Sequence, residues 1–443
     1  MTQSFAGMLN TFESTNELIS FMEPTMKSYS SLLVVVAMIT FYSYCLTTLA
    51  EEQITESQNK PQRLLSFQPE YDLRRDFSAA LWGQNHTNSQ GEPLSVEVDA
   101  PTAGKISKLV EAFPMIELIN FRNASDVKDE EFKAICQELM KLKNLTSFMP
   151  SGVIIQSEMQ AKAIGELEGL KYIDLQLGNL PLEALNQLSK LTKLTAIQLR
   201  VRNKNDDAIA AAIIRRFPLL TEMKLSGLGI GPLTFDAIGS LKSLSTLWLK
   251  PYIDVDGEVF AHLLKCRQLQ KLWIRCHAIS NWYPTIGRLE TLKHLSISGE
   301  CSDHDMSHLD SLHQLEFLNI VGGSYTDLGL AKLHGLTKLE FLRLVNSKLT
   351  GSAFRELSEL DQLKELHLGH TNFAPENGPY LAELESLEYL DLSWTPLAWS
   401  NDWKSLVPLA RLQHLREIWI DFDDKSTHEL MKRLPGVKLD YFE

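Results

Sequence analysis

Residues 315–350 read LEFLNIVGGSYTDLGLAKLHGLTKLEFLRLVNSKLT. Two near-identical phrases stand in it, Leu315-Glu316-Phe317-Leu318-Asn319-Ile320 and Leu339-Glu340-Phe341-Leu342-Arg343-Leu344, 24 residues apart. In each, the last apolar pair alternates with polar or aromatic residues, the period of a short strand with one buried face. Between them lies Thr326-Asp327-Leu328-Gly329-Leu330, followed by Leu333 and Leu336. Apolar residues three and four apart predict a helix there, with the Thr326 hydroxyl capping its first turn.

Outward from this stretch the phrase recurs in both directions. Leu170, Ile173 and Leu175 are followed by Leu194, Ile197 and Leu199, and then by Leu220, Met223 and Leu225. The series runs on through Leu244, Leu269, Leu292, Leu363 and Leu387 to Leu415, with Val437 and Leu439 as a shortened last turn. Ile116, Ile119 and Phe121 fit at the front. Leu145, Phe148 and Pro150 fit poorly, because proline cannot donate to a ladder. Helices are expected over Leu182–Leu191, Asp207–Phe217, Val259–Cys266, Gly329–Leu336 and Ser352–Leu360, with Thr350 a second cap. A strand, a turn and a helix of this size cannot bury an apolar face alone. Stacked neighbours supply the missing core, so the chain is expected to be a solenoid of about 13–14 units.

These phrases resemble the leucine-rich repeat family over residues 94–443, and the T-D-x-G-L form resembles the variety found in many exported bacterial repeat proteins. The resemblance implies an α/β fold: a right-handed, curved horseshoe with parallel strands on the concave side and helices on the convex side. It also implies a protein partner. The column where many members carry an asparagine ladder here includes Gly323, Ser347, Thr371 and Thr395, so the turn geometry of those members is not carried over.

Ahead of the repeats, residues 51–93 are polar and read as a linker, with one short helix around Asp76 to Trp82. Residues 29–50 carry no charge. With Lys27 before them and Thr48-Leu49-Ala50 at their end, residues 1–50 read as a signal peptide or an N-terminal membrane anchor, with Met1 or Met26 as the start. Either way the body is expected outside the cytoplasm.

The 443 residues include 43 basic and 56 acidic side chains, a net charge of -13 that argues against nucleic acid as partner. A chain 44% hydrophobic is built to form a core, and a monomer is expected. Of its five cysteines four follow the export segment, Cys136, Cys266, Cys276 and Cys301, too few for a disulfide scaffold. Buried free thiols are the default, and a bridge between Cys276 and Cys301 is the alternative.

Alternate strand residues point outward and mark the surface on which a solenoid binds. Its centre carries Lys224, Trp248, Lys250, Lys271, Trp273, Arg275, His294, Phe317, Phe341 and Arg343. Trp248 and Trp273 share a column and are expected to form an exposed aromatic pair one strand spacing apart, adding little to stability. Glu365, Asp391, Glu417 and Asp421 make the far end acidic. Exposed aromatics among basic groups suit a protein or other macromolecule with an acidic or planar surface. Mutual stacking of the rings is the bland alternative.

No catalytic or cofactor motif is present. The densest group of candidate metal ligands is Cys301, Asp303, His304, His308 and His313, with His304 and His308 one helical turn apart. The expected function is therefore non-enzymatic binding. A structural spacer of the cell envelope and a metal-dependent hydrolase built on Cys301, His304 and His308 are the competing readings.

Overall fold

A computed structural model describes residues 93–252, 255–276 and 279–440, all within one compact unit that spans Asp72–Glu443. The expected export segment and the expected linker helix at Asp76 to Trp82 lie outside the described residues.

One parallel sheet carries the strand order of the sequence. Its first half comprises β1 (Ser95–Asp99), β2 (Leu118–Arg122), β3 (Ser147–Met149), β4 (Ile154–Ile155), β5 (Tyr172–Leu177), β6 (Ala196–Val201), β7 (Glu222–Gly227) and β8 (Thr246–Pro251). The second half comprises β9 (Lys271–Arg275), β10 (His294–Ser298), β11 (Phe317–Val321), β12 (Phe341–Val345), β13 (Glu365–His367), β14 (Tyr389–Asp391), β15 (Glu417–Trp419) and β16 (Lys438–Asp440). Each strand pairs with the next, except that β3 and β4 both pair with β5. The weak phrase at Leu145 explains that exception. Pro150 ends β3, the chain turns through Gly152 at φ +90, and pairing resumes as Ile154 meets Gln176.

Equivalent leucines line up across the sheet. Leu318 faces Leu342 and Ile320 faces Leu344, while Leu342 faces Leu366. All of these are fully buried and belong to one continuous core running from Ile106 to Leu434. A buried leucine contributes about 1.5–3 kcal/mol, but only once a neighbouring coil covers it.

The returns between strands are tighter than the apolar spacing alone predicts. Leu182–Lys190, Ala261–Lys265, Ala331–Gly335 and Ser352–Glu356 are 3₁₀ rather than α-helical. A 3₁₀ turn rises about 2.0 Å per residue against 1.5 Å for α, so it spans a short return with fewer residues. The 26-residue interval from Leu194 to Leu220, among the longer ones, accommodates the full α-helix Asp207–Arg216.

Thr326 caps as expected, its hydroxyl accepting from the Leu328 amide at 3.2 Å. Thr350 does not. Its hydroxyl donates to Asp327, and the following helix starts after Gly351, whose φ of +95 only glycine adopts easily. Where asparagines stand in other repeat proteins, Thr371 and Thr395 donate their hydroxyls to the carbonyls of Leu368 and Leu392, each at 2.7 Å. Deeper in the stack, Trp282 lies against Phe260 at 4.3 Å and donates its indole N–H to the Val255 carbonyl at 2.7 Å.

Candidate binding face

The strand register sorts the outward side chains into columns. A central column runs Asp174, Gln198, Lys224, Trp248, Trp273. It continues through Ser296, Asn319, Arg343, His367, Asp391 and Trp419. Beside it lies a second column that includes Lys271, His294, Phe317, Phe341, Glu365 and Tyr389. Lys250 and Arg275 sit two residues beyond Trp248 and Trp273, on the opposite side of the central column.

The ten residues singled out from the sequence thus occupy consecutive strands, β7 to β12, of one face. Their rings do meet. Phe317 stacks on Phe341 at 4.2 Å and 10°, and His294 on Phe317 at 5.7 Å. The Lys224 ammonium lies 4.5 Å from the Trp248 ring centroid. Lys250 reaches instead to Tyr252, at 5.5 Å.

The expectation of exposed indoles needs correction. Trp248 is only 8% exposed and Trp273 only 4%, yet neither belongs to the continuous apolar core. They lie on the outward side and are covered there. Strands about 4.8 Å apart bring the side chains of a column into contact, as the Lys224 ammonium over the Trp248 ring shows. Among the described residues the large exposed aromatics are elsewhere: Phe113, Tyr252, Trp394 and Trp399.

Two groups on this face escaped the sequence reading. At the β5 to β7 end, Asp174 is nearly buried, and its Oδ2 accepts from Arg200 at 2.8 Å and Gln198 at 3.2 Å. Its Oδ1 has no hydrogen-bond partner. Burial pushes its carboxyl up to about 6, against the opposing pull of Arg200, Lys224 and Gln198. At the other end, His367 packs between Phe341 at 5.1 Å and Tyr389 at 4.8 Å, extending the ring series by two members. Strand alternation marked these positions as outward; only their neighbours across the sheet reveal the contacts.

The Cys301 group is assembled otherwise than a metal site requires. The Asp303 carboxylate is occupied by the next repeat, accepting from the Thr326 amide at 2.7 Å, the Thr326 hydroxyl at 2.9 Å and the Gly329 amide at 2.9 Å. The His304 and His308 rings meet edge to face at 5.0 Å. Among the described residues no group of three or more histidine, cysteine or acidic side chains is placed to hold a metal ion. Cys301 is a buried free thiol, so the alternative of a bridge between it and the buried Cys276 is not realised.

Among the described residues sixteen parallel strands, most of them returned by a short helix and joined through one leucine core, define a leucine-rich repeat solenoid. Among solved structures the chain is similar to an internalin, inlF, of Listeria monocytogenes, at 19% identity and a TM-score of 0.47, over 75% of this chain and 87% of that one. It is also similar to the plant peptide hormone receptor RGFR1 in complex with RGF2, at 14% identity and a TM-score of 0.37, over 81% of this chain and 72% of the receptor. No family model and no curated protein matches the sequence. No described helix is long and apolar enough to cross a membrane.

Proposed function

We propose that this solenoid is a non-enzymatic binding module that takes a protein partner on the strand face of β7 to β12. One observation carries the reading: Lys224, Lys250, Lys271, Arg275 and Arg343 gather on the same few strands as the stacked rings, and ring stacking alone gives no reason for cations to collect there. Covered rings form a rigid floor, and the charged groups around them select an acidic surface. The charge-free segment at residues 29–50 supports a location outside the cytoplasm, by cleavage or by anchoring.

The test is co-purification from an extract of the source cells, identification of the captured protein, and titration of that purified protein by calorimetry. Lys250→Glu with Lys271→Glu should weaken binding by about tenfold or more, since like charges placed across an interface cost several kcal/mol. Lys332→Glu, on the helix side, should leave it unchanged. Equal affinity for all three proteins overturns the assignment.

A further inference from the structure

Three residues at matching places in successive repeats, Asn346, His370 and Trp394, adopt left-handed backbone at φ 56, 58 and 59. Asparagine and histidine are among the residues that visit this region; for a bulky side chain it is an outlier. Such strain persists only where the surroundings hold it. Here two contacts do so. The Trp394 amide donates to Asp421 Oδ2 at 2.8 Å, and the indole lies parallel to the His370 ring, at 4° and 5.6 Å.

Burial does not explain the arrangement, because Trp394 remains 45% exposed. One indole face rests on His370, and among the described residues the other has no ring partner. Trp399, on the short helix that follows, is 62% exposed. The surroundings are acidic. Asp421 holds the Trp394 amide, and Asp391 holds the adjacent Ser393 amide at 2.9 Å. Burial lowers the affinity of His370 for a proton, although Asp391 and Asp421 raise it and Arg343 opposes them. Burial thus disfavours a charge on the ring under the indole, while His367 Nδ1 approaches Asp391 at 3.6 Å. Lys438, further along the face, is engaged by Glu417 and Asp440.

We infer that Trp394, stacked on His370 beside Asp391 and Asp421, is a docking site for an arginine side chain of a partner polypeptide. A guanidinium is planar, stacks on an indole face and pairs with a carboxylate, whereas a lysine ammonium is a more strongly hydrated point charge. The site follows β13 and β14, on the far side of β12 from the tryptophan strands, and its test is separate from that of the basic centre.

The experiment measures fluorescence anisotropy of labelled hexa-arginine amide with the full chain, at about 150 mM salt so that diffuse attraction is screened. Trp394→Gly and Trp394→Asn should each weaken binding roughly tenfold. The melting temperature of Trp394→Gly should hold or rise, because glycine adopts this φ without strain. Hexa-lysine should bind the native chain less tightly than hexa-arginine. The change Glu290→Gln, in the turn before β10, should leave binding as it was, which argues against simple attraction to a chain of net charge -13. The inference is overturned if hexa-arginine fails to bind the native chain, or if both Trp394 variants bind it as the native chain does.

Discussion

The Asp327 carboxylate reaches across the boundary between repeats to Thr350, its Oδ2 accepting the threonine hydroxyl at 2.7 Å and the amide at 2.9 Å. Its other oxygen takes the amides of Gly351 and Ala353. Asp303 does the same for Thr326 and Gly329, and Asp207 for Gly231, Leu233 and Thr234. In the T-D pair the threonine thus caps its own helix and the aspartate caps the next, so the coil that carries the pair closes the one that follows.

Asp327→Ala should cost about 1–2 kcal/mol in urea unfolding, the range for losing a helix cap. Burial raises the Asp327 carboxyl, but the Thr350 hydroxyl and the amides of Thr350, Ala353 and Gly351 outweigh it and hold it below the ordinary value of 3.8. A group with a lowered folded pKa stabilises the fold above that ordinary value and loses the contribution as pH falls through the folded one. The difference between native and Asp327→Ala proteins should therefore shrink on acidification below about pH 4. A difference that stays constant down to pH 2 refutes the capping role.

Asp174 has the opposite sign. With its carboxyl raised from 3.8 to about 6, ionisation penalises the folded state in full above about 6 and not at all well below 3.8. The native protein should gain on Asp174→Asn as pH falls from 7 to 4, by at most about 3 kcal/mol. Parallel stability curves for the two proteins would show that the carboxyl titrates normally.

Trp273→Ala should destabilise the solenoid by about 2 kcal/mol or more, well beyond an ordinary surface change. The covering of the indole, not its outward direction, sets the cost. Thermal melts of the single variant decide the matter: a shift within experimental error means that the ring is solvated in solution.

Cys136, Cys266 and Cys301 are buried, and burial pushes all three thiols up, Cys266 to about 11 and Cys301 to about 12. In a Cys45→Ser background these three should resist a thiol reagent at pH 8 until denaturant unfolds the chain, since the thiolate is the reacting form. Rapid labelling of any of them in native protein contradicts the packing described.

Much of the architecture was legible in the residues. Leu318 and Leu342 could be assigned to the core, and Phe317 and Phe341 to a shared outward column, because a strand alternates its side chains and a repeat restates the same choice every 24 residues. Register across a parallel sheet then follows from aligning leucine with leucine. The form of the returns was less legible, because apolar residues three and four apart suit a 3₁₀ turn and an α-helix alike.

What periodicity determined, then, is direction: which side chains face the leucine core and which face away. The tertiary structure alone decided what those outward side chains meet. Covering of Trp248 and Trp273, capture of Asp303 by the next coil, and the Trp394 stack on His370 all depend on the size and torsions of residues more than twenty positions distant. A repeat pattern records the spacing of such residues, whereas their contacts arise only when coils stack about 4.8 Å apart and compete for the same space.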